Sequence, residues 1–376
     1  MRNPPLILVV EDNPASLDII KTRLVANHYE VITAMDGLQG LNQAREHLPD
    51  LILLDIMMPK MNGLEVCQHL KNDQSLPFMP IILVTAKADP KDVVAGLEAG
   101  GDEYLSKPVD HSSLVARVKS MLRIKELHDM VLDQSNQLKR QLKTATRVQS
   151  LFWPKIPELP DDINIWAFSE PASYVGGDLY DIIPLPDNSF LAYVADISGK
   201  GVAAALIMAA LSTMIRAEAS AHNNIDTLLK VVNGSMYNLS SDEGYFATII
   251  CVRYWPESGR LQLIRAGHPN PLWIVGGEIS KLPWLEGIPL GIMEEVSYET
   301  CDITLSPGDS CLLYSDGVIE AQNEKLELFG DSNLAQSIVH RQGPPWGQGV
   351  VEAVHCWRGK ADVNDDLTVL EIWHDQ

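Results

Sequence analysis

Positive charge is scarce in this chain: 29 lysines and arginines face 50 aspartates and glutamates over 376 residues, a formal net charge of −21. Such a surface repels phosphate backbones and anionic lipid, which excludes DNA and membrane as principal partners. Cysteine is thin as well, five residues with no C-x-x-C pair: Cys67, Cys251, Cys301, Cys311 and Cys356. An odd and scattered set reads as reduced core thiols in a cytoplasmic protein. No apolar run reaches the length of a membrane span, and the opening MRNPPLILVVED holds only a short apolar stretch ending in acids, so neither an anchor nor a signal peptide is expected. Apolar residues are plentiful, at 46%, enough at this length to fill two separate cores.

The first third repeats one pattern. Short apolar runs, LILVV (6–10), LILL (51–54) and IILV (81–84), are each followed by polar turn residues and then by helical spacing. Fully apolar runs alternating with helices predict a parallel sheet covered on both faces, with ligands gathering beyond the carboxyl ends of its strands. Those ends carry Glu11-Asp12, Asp55, Thr85 and, after the short strand in EYLSKP, Lys107. Three acids, a hydroxyl and a lysine thus converge on one edge.

Through VVEDN (9–13), LLDIMMPKMNG (53–63), LVTA (83–86) and YLSKP (104–108), residues 4–122 resemble the receiver domain of bacterial response regulators, a doubly wound α/β fold on a five-stranded parallel sheet. The resemblance implies that Asp55 accepts a phosphoryl group from a sensor histidine kinase or small phosphodonor. It implies a Mg²⁺ held by Glu11, Asp12 and Asp55, with Met57 in the same set. Thr85 and Lys107 would contact the phosphoryl oxygens, and Tyr104 stands where the family has its switching aromatic. The chemistry agrees, since Mg²⁺ takes oxygen ligands and a carboxylate nucleophile needs a neighbouring cation.

From about His111 to Ser150 no proline or glycine interrupts a helical pattern. With Ile124 and Leu127 as heptad positions a and d, the series continues Val131, Gln134, Leu138, Gln141, Ala145, Val148. Six of these eight positions are apolar, which favours a two-stranded coiled coil and a homodimer over a single helix packed on its own domains. PKIPELP (154–160) then makes a hinge. The expected partition is a receiver over 1–122, a helical coiled-coil linker over 123–150, and a second domain over 151–376.

In that second domain SFLAYVADI (189–197), YFATIICVRYW (245–255) and SCLLYSDGV (310–318) read as strands, and 202–220 and 225–239 as helices, which predicts a layered α+β sandwich. Acids again punctuate strand ends: Asp178 and Asp181 in VGGDLYD, Asp196 in ADISGKG, Asp316 in YSDG, and Asp365-Asp366 in NDDLT. An Asp-Gly pair alone makes a turn. Two bare carboxylates at the mouth of a buried strand are not explained that way, and uncompensated buried charge costs several kcal/mol or more, roughly. In so acidic a chain the compensating cation is expected to be metal, in a binuclear centre.

Through VGGDLYD, ADISGKGVAAALIMA, AGHPNP, GIPLGI, LSPGDSCLLYSDGVIEA and NDDLTVLEI, residues 147–373 resemble the metal-dependent PPM/PP2C protein phosphatases of the bacterial SpoIIE/RsbU branch. The resemblance implies two Mn²⁺ or Mg²⁺ ions, flanked or bridged by Asp178 and Asp196 with the Ile197 carbonyl as a further ligand. Asp316 and Asp365 would complete one ion's shell, and Asp366 would orient them from behind. A water activated between two ions would attack phosphoserine or phosphothreonine directly. The substrate implied is a phosphorylated STAS-domain antagonist of an anti-sigma factor. Eukaryotic relatives have Asp-Gly-His where this chain has Asp196-Ile197-Ser198, so the general acid is left unassigned. His268 is read as a loop residue rather than a catalyst, and Lys200 in SGKG as a candidate phosphate contact at a helix start.

The expectation is therefore a response regulator whose output is a phosphatase, in which phosphorylation of Asp55 shifts the helical pairing and moves the helix beginning near Val202. Two rivals stand beside it. One is an adaptor that binds a sigma or anti-sigma pathway protein without chemistry, the other a phosphatase acting on its own receiver.

Overall fold

Five short strands, β1 (Leu6–Val10), β2 (Glu30–Ala34), β3 (Leu51–Asp55), β4 (Ile81–Thr85) and β5 (Glu103–Ser106), pair in parallel in the order β2-β1-β3-β4-β5. Side chains alternate across such a sheet. In β1, Ile7 and Val9 join one core with Leu24, Leu114 and Val118, while Leu8 and Val10 join another with Leu41, Val66 and Leu70. Both faces are covered, which is why these strands read as unbroken apolar runs. Helices α1 (Pro14–Ala26), α2 (Gly37–His47) and α3 (Gly63–Asn72) start on capping side chains from Asn13, Asp36 and Asn62. The computed structural model describes residues 2–85, 94, 96–160, 162–240, 243–283, 285–341 and 343–375.

Helix α4 runs unbroken from His111 to Gln149, and Ser150–Phe152 tightens into a 3-10 turn. The Asp110 carboxylate accepts from Ser113 N at 2.9 Å and so caps its start. Leu114, Val118, Met121 and Leu122 are buried, whereas Ile124, Leu127, Val131, Leu138 and Val148 are all exposed, Val131 to 64%. The chain divides into two compact units, Met1–Lys139 and Arg140–Gln376, and the division falls inside this helix.

The second unit holds two antiparallel five-stranded sheets. One has the order β13-β10-β9-β8-β7, built from β7 (Leu179–Pro184), β8 (Phe190–Ile197), β9 (Ala247–Trp255), β10 (Arg260–Ala266) and β13 (Thr300–Thr304). The other has the order β12-β11-β14-β15-β6, built from β6 (Ile163–Glu170), β11 (Leu272–Val275), β12 (Glu278–Ser280), β14 (Ser310–Tyr314) and β15 (Leu367–His374). Leu191, Tyr193, Ala195 and Ile197 of β8 pack on helices α5 (Val202–Glu218) and α6 (Ile225–Ser240). The alternate residues Phe190, Ala192 and Val194 meet Leu313, Leu370 and Ile372 of the opposing sheet. That second sheet turns Leu312, Tyr314, Leu367 and Val369 towards helices α7 (Gly330–Val339) and α8 (Trp346–Arg358). The result is a four-layer αββα sandwich. Among the described residues no helix is long and apolar enough to cross a membrane.

Leu313 is fully buried between the two sheets. Leu313→Ala is expected to lower the stability of the second unit by about 2–5 kcal/mol, read as a fall in its urea midpoint with an unchanged slope.

Candidate active site

In the receiver unit the strand ends bring their side chains together as the sequence predicts. Lys107 Nζ lies 2.7 Å from Asp55 Oδ2 and 2.7 Å from Glu11 Oε2, with Asp55 and Glu11 both buried. Ligand atoms of Glu11, Asp12 and Asp55 all lie within 4.8 Å of one another. Burial, then the charge of Asp55, raises the Glu11 pKa, against the hydrogen bond from Lys107. Burial alone would lower that of Lys107, but its hydrogen bonds to Asp55 and Glu11 prevail and hold it above the ordinary value. The Met57 amide donates to Asp55 Oδ1 at 3.2 Å, while its side chain is exposed. Thr85 is buried at the end of β4, and its carbonyl accepts from Lys107 N at 2.7 Å. Tyr104 is half-buried, with the Arg117 guanidinium 5.5 Å from its ring centre.

In the second unit strand parity selects which acids meet. Tyr180 and Ile182 of β7 face the gap between the sheets, and so do Val194 of β8, Leu313 of β14 and Leu370 of β15. Counting in twos from these residues puts Asp178, Asp196, Ser315, Thr368 and Asp366 on the same side, at one end of that gap. Asp178 and Asp181 differ by three, so Asp181 falls on the opposite face. There it is fully buried, 2.7 Å from Arg216 of α5, and accepts from Ile182 N at 2.8 Å. Asp181 is thus a structural ion pair and is not one of the converging acids.

Asp178 is buried, and its Oδ2 has no hydrogen-bond partner. Desolvation, then the charges of Asp196 and Asp366, raises its pKa well above the carboxylate range, while hydrogen bonds from Ser315 and Thr368 pull the other way. Asp196 is half-buried within hydrogen-bonding reach of Asp178, and burial followed by the charges of Asp316, Asp365 and Asp366 pushes it up to about 7. Burial and the charge of Asp365 raise Asp316 too. The Ile197 carbonyl faces the glycine loop, 3.0 Å from where a side chain at Gly177 would begin.

Asp366 is differently employed. Its Oδ1 accepts from Ala172 N at 2.7 Å and its Oδ2 from Gly177 N at 2.6 Å and Asp178 N at 3.3 Å. It holds the loop that delivers Asp178. The fit depends on two glycines: a Cβ at Gly176 would lie 2.4 Å from Asp366 Oδ2, and one at Gly317 would lie 1.9 Å from the Asp366 carbonyl. Lys200 reaches Asp365 Oδ2 at 3.0 Å and the Asn364 carbonyl at 2.5 Å, so it sits on the acid cluster. His268 is buried, with Nδ1 2.7 Å from the Thr248 hydroxyl, and desolvation lowers its pKa to about 3. A neutral, enclosed imidazole is a core residue and has no path to deliver a proton.

The donor set fits divalent cations. It offers oxygen only, with one buried carboxylate atom left unpartnered and neighbouring acids raising one another's pKa. Among the described residues these aspartates do not draw together as tightly as the receiver's three acids. Ser315 and Thr368 were not singled out from sequence, although each lies within two residues of a candidate acid and strand parity points to both.

The family model for stage II sporulation protein E (SpoIIE) matches residues 186–374, and that for the response regulator receiver domain matches residues 7–119. Over 131 residues the chain is 44% identical to the response regulator PleD of Caulobacter vibrioides, covering 35% of this chain and 28% of PleD. The chain thus spans little more than a quarter of that relative. The SiaA-PP2C domain of Pseudomonas aeruginosa superposes with a TM-score of 0.54 at 22% identity, over 64% of this chain and 99% of that domain. The PP2C phosphatase domain of SpoIIE from Bacillus subtilis, solved with a fragment of its regulatory domain, gives 0.51 at 18% identity, over 57% of this chain and 64% of the other. These two structures speak to the fold, which is the PP2C-type sandwich.

With chelator present, Asp178→Asn is expected to melt at or above the wild-type temperature, because it removes a buried charge that repels its neighbours. Added Mn²⁺ should raise the melting transition of the second unit in the wild type by mass action and leave that transition unmoved in the variant. Differential scanning calorimetry with and without Mn²⁺ checks both parts.

Proposed function

The chain belongs to the SpoIIE family and carries a response regulator receiver domain, and on that premise we propose that it is a response regulator whose output is a metal-dependent protein serine/threonine phosphatase. The observation that carries this reading is the buried Asp178, with its unpartnered Oδ2 beside Asp196. Without a cation such a pair stays buried only by taking up protons, whereas a divalent cation compensates both carboxylates at neutral pH.

In this reading Asp178 and Asp196, the Ile197 carbonyl, Asp316 and Asp365 would hold the ions. Ser315 and Thr368 orient Asp178 by hydrogen bonds, and Asp366 fixes the loop backbone. Bound there, two divalent ions supply an activated water and neutralise charge on the phosphoryl group during in-line displacement. Lys200, paired with Asp365 at the rim of the site, would be available to meet a phosphoryl group where a cation takes that carboxylate. In the receiver, Asp55 takes the phosphoryl group, Glu11, Asp12 and Met57 join it around Mg²⁺, and Thr85 and Lys107 hold the phosphoryl oxygens. Tyr104 changes position in response.

The phosphoryl donor is a histidine kinase or a small phosphodonor. The substrate is a phosphorylated STAS-domain antagonist of an anti-sigma factor, the substrate class of the phosphatases this chain resembles. Retention of Asp178, Asp196, Asp316 and Asp365 favours catalysis over an adaptor role, since a binding module has no use for mutually repelling buried acids. The exposed seam Ile124, Leu127, Val131 and Leu138 pairs with the same seam of a second copy and makes the homodimer.

Hydrolysis of a generic aryl phosphate by the full chain should depend on Mn²⁺, fall by about a hundredfold or more in Asp316→Asn, and persist in Asp55→Ala. Equal activity of Asp316→Asn and wild type would end the phosphatase reading. Sedimentation equilibrium should give the mass of two chains for wild type and of one for Val131→Lys combined with Leu138→Lys.

A further inference from the structure

The loop that delivers Asp178 has no regular structure, and its backbone is satisfied by side chains. From one side Asp366 takes the amides of Ala172, Gly177 and Asp178. From the other comes the last turn of α4. Gln149 Nε2 donates to the Gly176 carbonyl at 2.7 Å, and Gly176 N donates back to Gln149 Oε1 at 3.3 Å. One turn earlier, the Thr146 hydroxyl reaches the Tyr174 carbonyl at 2.5 Å.

Three features separate this from an incidental contact. Gln149 is buried, at 8% exposure, on a helix whose neighbouring positions are largely open to solvent. Its amide engages both polar groups of one residue, so its orientation is fixed by donor and acceptor together. That residue, Gly176, is also the one whose missing side chain lets the Asp366 carboxylate approach, so the two clamps grip the same peptide from opposite sides.

We propose that Gln149 is a positioning residue for the metal centre: it sets where the 172–178 loop holds Asp178, and so how strongly the site takes up divalent ions. The inference rests on the two-ion reading above. It differs from the expectation that the linker acts through the helix beginning near Val202, because the end of α4 touches the backbone of an acid-bearing loop directly. Rotation or fraying of the last turn of α4 would withdraw both hydrogen bonds at once and leave Asp366 alone to hold the loop. Partners behind a ligand are known to tune metal affinity without touching the ion.

The test uses the full-length protein and Gln149→Met, which keeps length and removes both hydrogen bonds, with Thr146→Val as a milder second variant. Two quantities are read, each in an Asp12→Ala background that removes one of the receiver's own cation ligands: backbone hydrogen exchange of the 172–178 segment in chelator, and Mn²⁺ affinity by electron paramagnetic resonance counting of free ion. Gln149→Met should exchange faster in that segment, with the strands of both sheets unchanged, and should bind Mn²⁺ about tenfold more weakly. Thr146→Val should shift both in the same direction by less. A purely structural role would instead lower protection throughout the second unit. Unchanged exchange at 172–178 in Gln149→Met, or faster exchange with wild-type Mn²⁺ affinity, overturns the proposal while wild-type Mn²⁺ uptake leaves the phosphatase reading standing. A wild-type chain that takes up no Mn²⁺ overturns both.

Discussion

The second unit is organised around a repulsion. Asp178 and Asp196 meet at the end of the gap between two sheets, where burial first, and then the charges of the acids around them, push both above the ordinary carboxylate range. Such a pair is tolerable only if the rest of the fold holds it against its tendency to separate. Ser315 and Thr368 do so by hydrogen-bonding Asp178, and Asp366 and Gln149 do so by clamping the loop behind it. The receiver solves a similar problem with a protein cation: Lys107 spans Asp55 and Glu11, and the acids stay together without help. Among the described residues of the second unit the only lysine on the acids is Lys200, at the half-exposed Asp365.

Placement of these groups follows from strand alternation. Facing sheets put every second residue of β7, β8, β14 and β15 into one gap, and acids set just beyond the strand ends inherit the same side. The apolar partners on that side, Ile182, Val194, Leu313 and Leu370, form the floor on which the acids stand. Helices cover the outer face of each sheet. Glu371, fully buried in β15, anchors one of them by accepting from Gly347 N at 2.6 Å.

Much of this was legible in the residues. Unbroken apolar runs announced the parallel sheet, the absence of proline and glycine announced the long helix, and aspartates at strand mouths announced the acidic cluster. Other parts were not. The edge strand β2 is only half-buried and lacks a strong apolar run. Helix α8 carries Gly347 and Gly349, which disguise its periodicity, and α7 begins without a side-chain cap. Asp181 looked like the other acids because it stands in one short motif with Asp178, but only its place inside β7 shows that it takes the opposite face. Gln149 was beyond reach altogether: a glutamine ending a polar helix acquires its meaning from Gly176, a residue remote in sequence.

Asp365 and Asp366 are chemically identical neighbours with different obligations. The first leans on a lysine ammonium and is half-exposed, so the polypeptide could lose it and still fold. The second replaces a turn's own backbone bonding and is locked against two glycines. Were a lineage of such chains to abandon chemistry and keep only its shape, drift would erase the first carboxylate early and preserve the second. An alignment of inert descendants would then show a lone acid at that strand mouth as the fossil of the pair.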